Sequence, residues 1–212
     1  LVYIDFADPK NPIVEKVDYD FVHSGYTLCT IDSGADHADL TDEYAAMPVE
    51  MKAVAAFFGK EVLHDVDEAA FYRHIAEVRK VTGDRAVLRA IHFFNENRRV
   101  KSQVRALKDG DFDAFLHFVN ASGMASWTLL QNVTPAGYIQ KQDMAFTIAL
   151  CQQLLEGEGA VRIHGGGFAG TIQAFVPLEL LDGFREQVES VLGTGSCHVL
   201  RLRPVGGVVL WS

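Results

Sequence analysis

The pattern of apolar and polar positions predicts short β-strands near both ends of the chain and around residue 165. Apolar residues alternate with polar ones, or form short runs rich in β-branched and aromatic residues, in these segments. The predicted strands are residues 1–6, 26–32, 161–164, 171–176 and 197–203. Residues 7–25, which include two prolines, are interpreted as an extended connection.

Apolar residues at helical spacing predict that helices fill the middle of the chain. The predicted helices are residues 40–58, 67–80, 83–108, 112–130, 140–155 and 178–192. Gly59 ends the first of them, and Pro48 inside it is expected to kink it. The longest, 83–108, carries one apolar stripe and ends at Asp109-Gly110.

The order of these elements predicts the fold class. When the first strand is set aside as an edge strand, the order is strand, several helices, strand, strand, helix, strand. This is the βαββαβ pattern of a ferredoxin-like α+β sandwich, with extra helices inserted at the first crossover. No internal repeat interrupts the sequence, so residues 1–212 are predicted to form one domain.

Composition and charge exclude several classes of partner. The chain has 212 residues, 49% of them apolar, which is ordinary for a globular protein. A net charge of −9 argues against nucleic acid and against an anionic membrane surface as partners. The three cysteines are widely spaced and form no disulfide pattern, so a cytoplasmic location is expected. No apolar run approaches the ~20 residues of a membrane span.

Four glycines within six residues interrupt the predicted hairpin at 159–176. An ordinary two-residue hairpin turn needs one or two glycines. The glycines of segment 165–170 permit positive φ and let a ligand approach the backbone closely. Successive N–H groups in such a loop can converge on an anion, and Arg162 and His164 could add positive charge. The local pattern supports an anion-binding loop and a wide hairpin without a ligand equally.

The remaining candidates for chemistry have simpler explanations. Glu96 and Arg99 have i,i+3 spacing on a predicted helix, which favours a plain surface ion pair over part of a buried site. Asp32 follows a strand, where a capping role is commoner than a catalytic one. The eight histidines show no metal-binding spacing, so no metal site is predicted. Walker A and GxSxG motifs are absent from the sequence.

Three segments together carry a family resemblance. Residues 159–171 have Ile163-His164 where the family usually has Met-Thr, and Ala169-Gly170 where it has Gly-Gly. Asp32-Ser33, followed by Asp42-Glu43-Tyr44, is similar to a strand end and a Ser-Glu-Tyr-Asn segment. Residues 92–98 are similar to a helix containing His-x-x-x-Glu. In this order the segments resemble the C-terminal half of galactokinases, within the GHMP small-molecule kinases, and the resemblance covers nearly the whole chain.

The resemblance implies a fold, an activity and a set of binding residues. It implies the GHMP kinase C-terminal domain and ATP-dependent phosphorylation of the C1 hydroxyl of galactose, with Mg²⁺. Tyr44 would contact the sugar. The residues implied to close the site beside the sugar and the transferred phosphate are Gly165, Gly166, Gly167, Phe168 and Gly170.

The resemblance also implies parts that lie outside this sequence. The family's catalytic aspartate and its nucleotide phosphate loop are expected upstream of Leu1. Residues 1–25 would then be the tail of an N-terminal domain and its connection, and that domain would be the main partner of this one. Residues 1–212 alone are therefore expected to have no kinase activity.

Departures from the family pattern leave other functions open. Ala45-Ala46 replaces the usual Arg-Arg, and residues 127–132 differ from the usual acidic and aromatic segment. A divergent galactokinase fits these differences, and so does a GHMP kinase for an N-acetylhexosamine or another small alcohol. A non-catalytic sugar-sensing relative is a further alternative. An unrelated ferredoxin-like interaction domain would require all three matches to be coincidental.

Overall fold

The computed structural model describes residues 1–36, 38 and 40–202. Its strands are β1 (Val2–Asp5), β2 (Ile13–Lys16), β3 (Tyr26–Ala35), β4 (Ala160–Ile163), β5 (Gly170–Pro177) and β6 (Cys197–Leu200). Its α-helices are α1 (Thr41–Phe57), α2 (Glu68–Arg73), α3 (Ile75–Thr82), α4 (Asp84–Lys108), α5 (Phe112–Ala125), α6 (Asp143–Leu155) and α7 (Leu181–Leu192). A π-helix, Ser126–Leu130, continues α5.

The main sheet has four antiparallel strands in the order β4-β5-β3-β6. One buried row crosses all four strands through the register pairs Ile163–Ile172, Ile172–Ile31 and Ile31–Cys197. With β3 counted as the first strand of the unit, this is the strand order of a ferredoxin-like sandwich. Helices α1 to α6 form the first crossover and α7 the second. The predicted fold class is confirmed.

Both faces of this sheet are covered, because successive strand residues point to opposite sides. On one side, Ile31 and Ile172 belong to a buried cluster that includes side chains of α6 and α7. On the other side, Phe175 packs with Phe112 and Leu116 of α5. The strands are therefore held from both faces, so the β4–β5 hairpin is a rigid base for its loop.

A second core lies within the inserted helices. Val54 of α1, Phe71 of α2, Val78 of α3 and Val87 of α4 are buried together in one cluster. Burial of such side chains stabilises a fold by about 1.5–3 kcal/mol each relative to exposure. This core fixes α1 against α4, and α1 runs from Thr41 to Phe57 through Pro48.

The structure corrects several predicted boundaries. Residues 13–16, within the predicted extended connection, form β2 and pair with β1. The helix predicted at 67–80 is divided at His74 into α2 and α3. Strand β3 continues to Ala35 through a register irregularity after Asp32, because Ser33 and Gly34 are accommodated as a bulge rather than ending the strand. Arg203, the predicted end of the last strand, lies outside the described residues.

None of the helices in the described part of the chain combines the length and the apolarity needed to cross a membrane. The cysteines at 29, 151 and 197 are all free and buried.

Candidate functional site: the glycine loop

Residues 164–169 connect β4 to β5 and are called the glycine loop here. His164, Gly165 and Gly166 are exposed, whereas residues 167–169 are buried. The backbone adopts positive φ at Gly165 (83°) and Gly167 (84°), and also at Phe168 (61°). Glycine adopts such angles without steric cost, whereas phenylalanine requires support from its surroundings. The loop is therefore held in shape by contacts with the rest of the protein.

Three side chains from three different segments hold carbonyl groups at the loop. The Tyr44 hydroxyl donates to the Gly167 carbonyl oxygen at 2.7 Å. The Asn132 side-chain nitrogen donates to the Gly166 carbonyl oxygen at 2.9 Å. The Ser33 hydroxyl donates to the carbonyl oxygen of Gly170, the first residue after the loop, at 2.6 Å. These bonds turn the carbonyl groups inward, toward α1, β3 and the segment after the π-helix.

The anchors on the inner side leave no room for a side chain at residue 167. The Phe168 N–H donates to the Asn132 carbonyl oxygen at 2.6 Å. A Cβ atom at Gly167 would lie 2.1 Å from that same oxygen, and one at Gly166 would lie 3.0 Å from the Tyr44 ring. Glycine at 167 is thus required by close approach as well as by its φ angle.

Apolar contacts complete the inner side of the loop. Phe168 and Ala169 form a small buried cluster with Leu40, beside Tyr44 and Met47. The Tyr44 and Phe168 rings meet edge to face with centroids 5.4 Å apart. Burial raises the pKa of Tyr44, so its hydroxyl keeps its proton and can donate at neutral pH. Packing and hydrogen bonding therefore stabilise the same conformation.

The outer side of the loop presents unpaired donors. Among the described residues, none accepts a hydrogen bond from the N–H groups of Gly165 or Gly166. The His164 ring lies at the edge of the loop, with Nδ1 3.2 Å from the Thr171 hydroxyl. Exposed backbone N–H groups in succession, one at positive φ, form the kind of concavity that binds an anionic or carbonyl-type oxygen. The arrangement can therefore hold one or two ligand oxygens.

The unpaired donors of the loop suit an anionic oxygen of a ligand. Two free N–H donors fit an oxygen of a phosphoryl group, since backbone donors stabilise such oxygens without any side-chain chemistry. Backbone N–H groups do not ligate a cation, and the described residues contain no group of three or more His, Cys, Asp or Glu that could hold a metal ion. Arg162 does not add its charge to the loop as expected, because it packs beside Gly123 and interacts with Glu96 and Arg99.

The interpretation of Glu96 and Arg99 as a plain surface pair is wrong. The two side chains are only 22% and 14% exposed, and they form an ion pair. Glu96 also accepts a hydrogen bond from the buried Ser122 hydroxyl of α5. With His92 they form a largely buried polar cluster between α4 and α5. The helical spacing places Glu96 and Arg99 on one face of α4, and they are buried because α5 packs over that face.

The structure brings the predicted site residues together. Tyr44 contacts the loop directly, and Gly165, Gly166, Gly167 and Phe168 form it, with Gly170 at its end. Their role in ligand binding stays a prediction. Asp32 accepts from the Gly34 N–H at 2.9 Å, which is a local turn bond of the capping type.

Asn132 is the anchor that sequence reasoning missed. It is 2% exposed, and it follows Gln131, whose backbone is left-handed at φ 57°. The one available signal was an amide residue beside the apolar Val133, in a segment that departs from the related kinases. Without the structure, nothing connects residue 132 with residues 166–168.

Comparison with known proteins finds curated relatives that are galactokinases. The Mannheimia succiniciproducens galactokinase is 31% identical over 156 residues, covering 74% of this chain and 38% of the relative. The Glaesserella parasuis galactokinase is 29% identical over 167 residues, covering 79% of this chain and 41% of the relative. These matches lie in the C-terminal part of the relatives. The chain thus spans about two fifths of the length of the curated relatives it matches. No protein-family model matches the chain.

Solved structures with the same fold are also kinases of small molecules. A crystal structure of Lactococcus lactis galactokinase complexed with galactose matches 89% of this chain and 47% of its own, with a TM-score of 0.64 and 21% identity. The L. major mevalonate kinase in complex with R-mevalonate matches 89% of this chain with a TM-score of 0.51 and 10% identity. At these identities the structures establish the fold alone.

Alanine substitutions at two loop glycines test the inner contacts. Both Gly165 and Gly167 have positive φ, but a Cβ atom meets nothing within 4 Å at Gly165 and meets the Asn132 oxygen at Gly167. We expect Gly165→Ala to lower the free energy of unfolding by about 1–2 kcal/mol. Gly167→Ala should cost a further ~1–3 kcal/mol through overpacking. Urea denaturation measures both, and equal losses would contradict the described loop.

Acidification tests the buried histidine of the α4–α5 cluster. Burial lowers the pKa of His92 below its ordinary 6.5, and its Nδ1 has no partner among the described residues. As the pH falls toward and below 6.5, this histidine is protonated more in the unfolded chain than in the folded one. The free energy of unfolding therefore falls as the pH drops. We expect His92→Gln to reduce this fall below about pH 7.5, as measured by urea denaturation.

The exposed His117 provides the matched control. His117→Gln should leave the pH dependence of the free energy of unfolding as it is in the unsubstituted protein. An unchanged pH dependence in His92→Gln would show that His92 does not carry the effect.

Proposed function

Because this chain is a relative of the C-terminal part of galactokinases and has the GHMP kinase fold, we propose that it is part of a galactokinase-like sugar kinase. In the whole protein, the terminal phosphoryl group of ATP would be transferred to the C1 hydroxyl of galactose. This proposal is supported by the sequence similarity to curated galactokinases over about three quarters of the chain. The free cysteines agree with a cytoplasmic location, which we include in the proposal.

The anchored glycine loop is the observation that carries this proposal. Tyr44 and Asn132 bind its carbonyl groups, and the N–H groups of the exposed Gly165 and Gly166 have no acceptor among the described residues. Phosphoryl transfer depends mainly on positioning and on stabilising charge at the transferred group. Preorganised backbone donors supply both without reorganising during the reaction. We therefore assign to the loop the binding of the transferred phosphoryl group and of the adjacent sugar.

The division of labour follows from what these residues offer. ATP, when bound, supplies the phosphoryl group, and Mg²⁺ would accompany the nucleotide in the whole protein. We place the catalytic aspartate and the nucleotide phosphate loop in an N-terminal domain outside residues 1–212. The greater length of the relatives supports this placement. Tyr44 would contact the sugar while its hydroxyl holds the loop.

Activity assays of two polypeptides test the proposed function. A polypeptide that includes the expected N-terminal domain should phosphorylate galactose with ATP, and residues 1–212 alone should not. Turnover of a different hexose, an N-acetylhexosamine or another small alcohol in place of galactose would correct the substrate. Galactose binding without turnover would favour a sensor. Turnover by residues 1–212 alone would overturn the proposed division between two domains.

Removal of the Tyr44 hydroxyl tests the role of the loop anchor. Tyr44→Phe keeps the ring contact with Phe168 and removes the bond to Gly167. A hydrogen bond is worth about 0.5–1.5 kcal/mol, so kcat/KM for the sugar should fall about threefold to tenfold. The control is Tyr138→Phe, at a residue 46% exposed and outside the site. Equal kcat/KM for the two variants would remove Tyr44 from the proposed mechanism.

A further inference from the structure

Arg89 is a buried arginine that joins two separate segments of the chain. It lies on α4 and is 0% exposed. Its Nη1 donates to the Glu50 carboxylate on α1 at 2.9 Å. Its Nε donates to the Leu130 carbonyl oxygen at the end of the π-helix, at 3.0 Å. One guanidinium therefore links α1 and the π-helix.

Each of the two segments carries an anchor of the glycine loop. Tyr44 precedes Glu50 by less than two turns on α1. Asn132 is two residues after Leu130, and Gln131 between them turns the chain at φ 57°. The two anchors donate to the carbonyl oxygens of adjacent loop residues. The spacing between α1 and the π-helix thus decides whether both can reach the loop.

Burial of the Arg89 guanidinium has a desolvation cost, and its hydrogen bonds do not fully offset that cost. Arg89 Nη2 is buried without a partner among the described residues. The Glu50 carboxylate is shared with Arg85, which donates to it at 2.9 Å and 2.5 Å. Apolar residues of similar volume often stabilise a fold more than such buried charges do. The useful property of arginine here is its rigid fork of donors, which reaches two acceptors in fixed directions.

We infer that Arg89 is a positioning residue for the glycine loop: it fixes α1 and the π-helix end relative to each other, and thereby places Tyr44 and Asn132 on the loop. The relevance to catalysis rests on the proposed function. The role of Arg89 in placing the loop is independent of the proposed function.

The positions of the loop glycine signals in ¹H–¹⁵N NMR spectra test the inference without any enzyme activity. Residues 1–212 with ¹⁵N-labelled glycine would be compared with Arg89→Met, Arg89→Lys and Arg85→Met. We expect Arg89→Met to shift the amide signals of Gly165, Gly166 and Gly167, while signals of glycines remote from the loop stay in place. The matched control, Arg85→Met, removes a half-exposed partner of the same Glu50 carboxylate and should leave the loop signals unchanged.

The remaining outcomes separate positioning from general stability. Arg89→Lys keeps the charge but not the two-acceptor fork, so it should shift the loop signals even where urea denaturation finds its stability close to that of the unsubstituted protein. If Arg89→Met does not fold, the loop signals of Arg89→Lys test the inference in its place. Unchanged loop signals in a folded Arg89 variant, or equal shifts in Arg85→Met, would overturn the inference.

A kinetic measurement on the whole protein separates this inference from the proposed function. In an active kinase, Arg89→Lys should lower kcat about tenfold or more while KM for ATP changes less than twofold, since the loop is assigned to the transferred group. Shifted loop signals in a protein that phosphorylates no sugar would sustain the positioning role and contradict the proposed function alone. An unchanged kcat in an active kinase would overturn the catalytic relevance of Arg89.

Discussion

The hydrogen bonds from Tyr44, Asn132 and Ser33 to backbone carbonyl groups are the constraint on which the site depends. The carbonyl oxygens of Gly166 and Gly167 are held from inside, and the N–H groups of the exposed Gly165 and Gly166 have no acceptor among the described residues. Glycine at 167 follows from the same constraint, since the Asn132 oxygen occupies the space of a Cβ atom. The loop is rigid on one side and available on the other.

The fold supplies this constraint from two directions. The sheet holds the ends of the loop, because β4 and β5 are paired up to Ile163–Ile172 and covered on both faces. The inserted helices supply the anchors, because their own core fixes α1 against α4. Neither part alone defines the loop: a hairpin without the insertion would lack Tyr44 and Asn132. The overall fold matches solved structures of small-molecule kinases over 89% of the chain.

Sequence patterns predicted the parts of this structure that depend on local periodicity and turn chemistry. The strands, the long helix α4 and the glycine hairpin were recognisable because each has a period or a turn signal of its own. The division at His74 and the strand at Ile13–Lys16 were missed, since pairing and packing override weak local preferences there. Tyr44 was found only through a family resemblance. Asn132 and Arg89 were not found, because their roles arise between segments far apart in sequence.

Amide hydrogen exchange in the unsubstituted protein tests the central claim most directly. The claim is that the loop is bonded on its inner side and free on its outer side. The Phe168 N–H, bonded to the Asn132 carbonyl oxygen, should exchange slowly, as a group that opens only with local unfolding. The exposed N–H groups of Gly165 and Gly166 should exchange at rates near those of an unstructured peptide. Rapid exchange at Phe168, or strong protection at Gly165 and Gly166, would contradict the account.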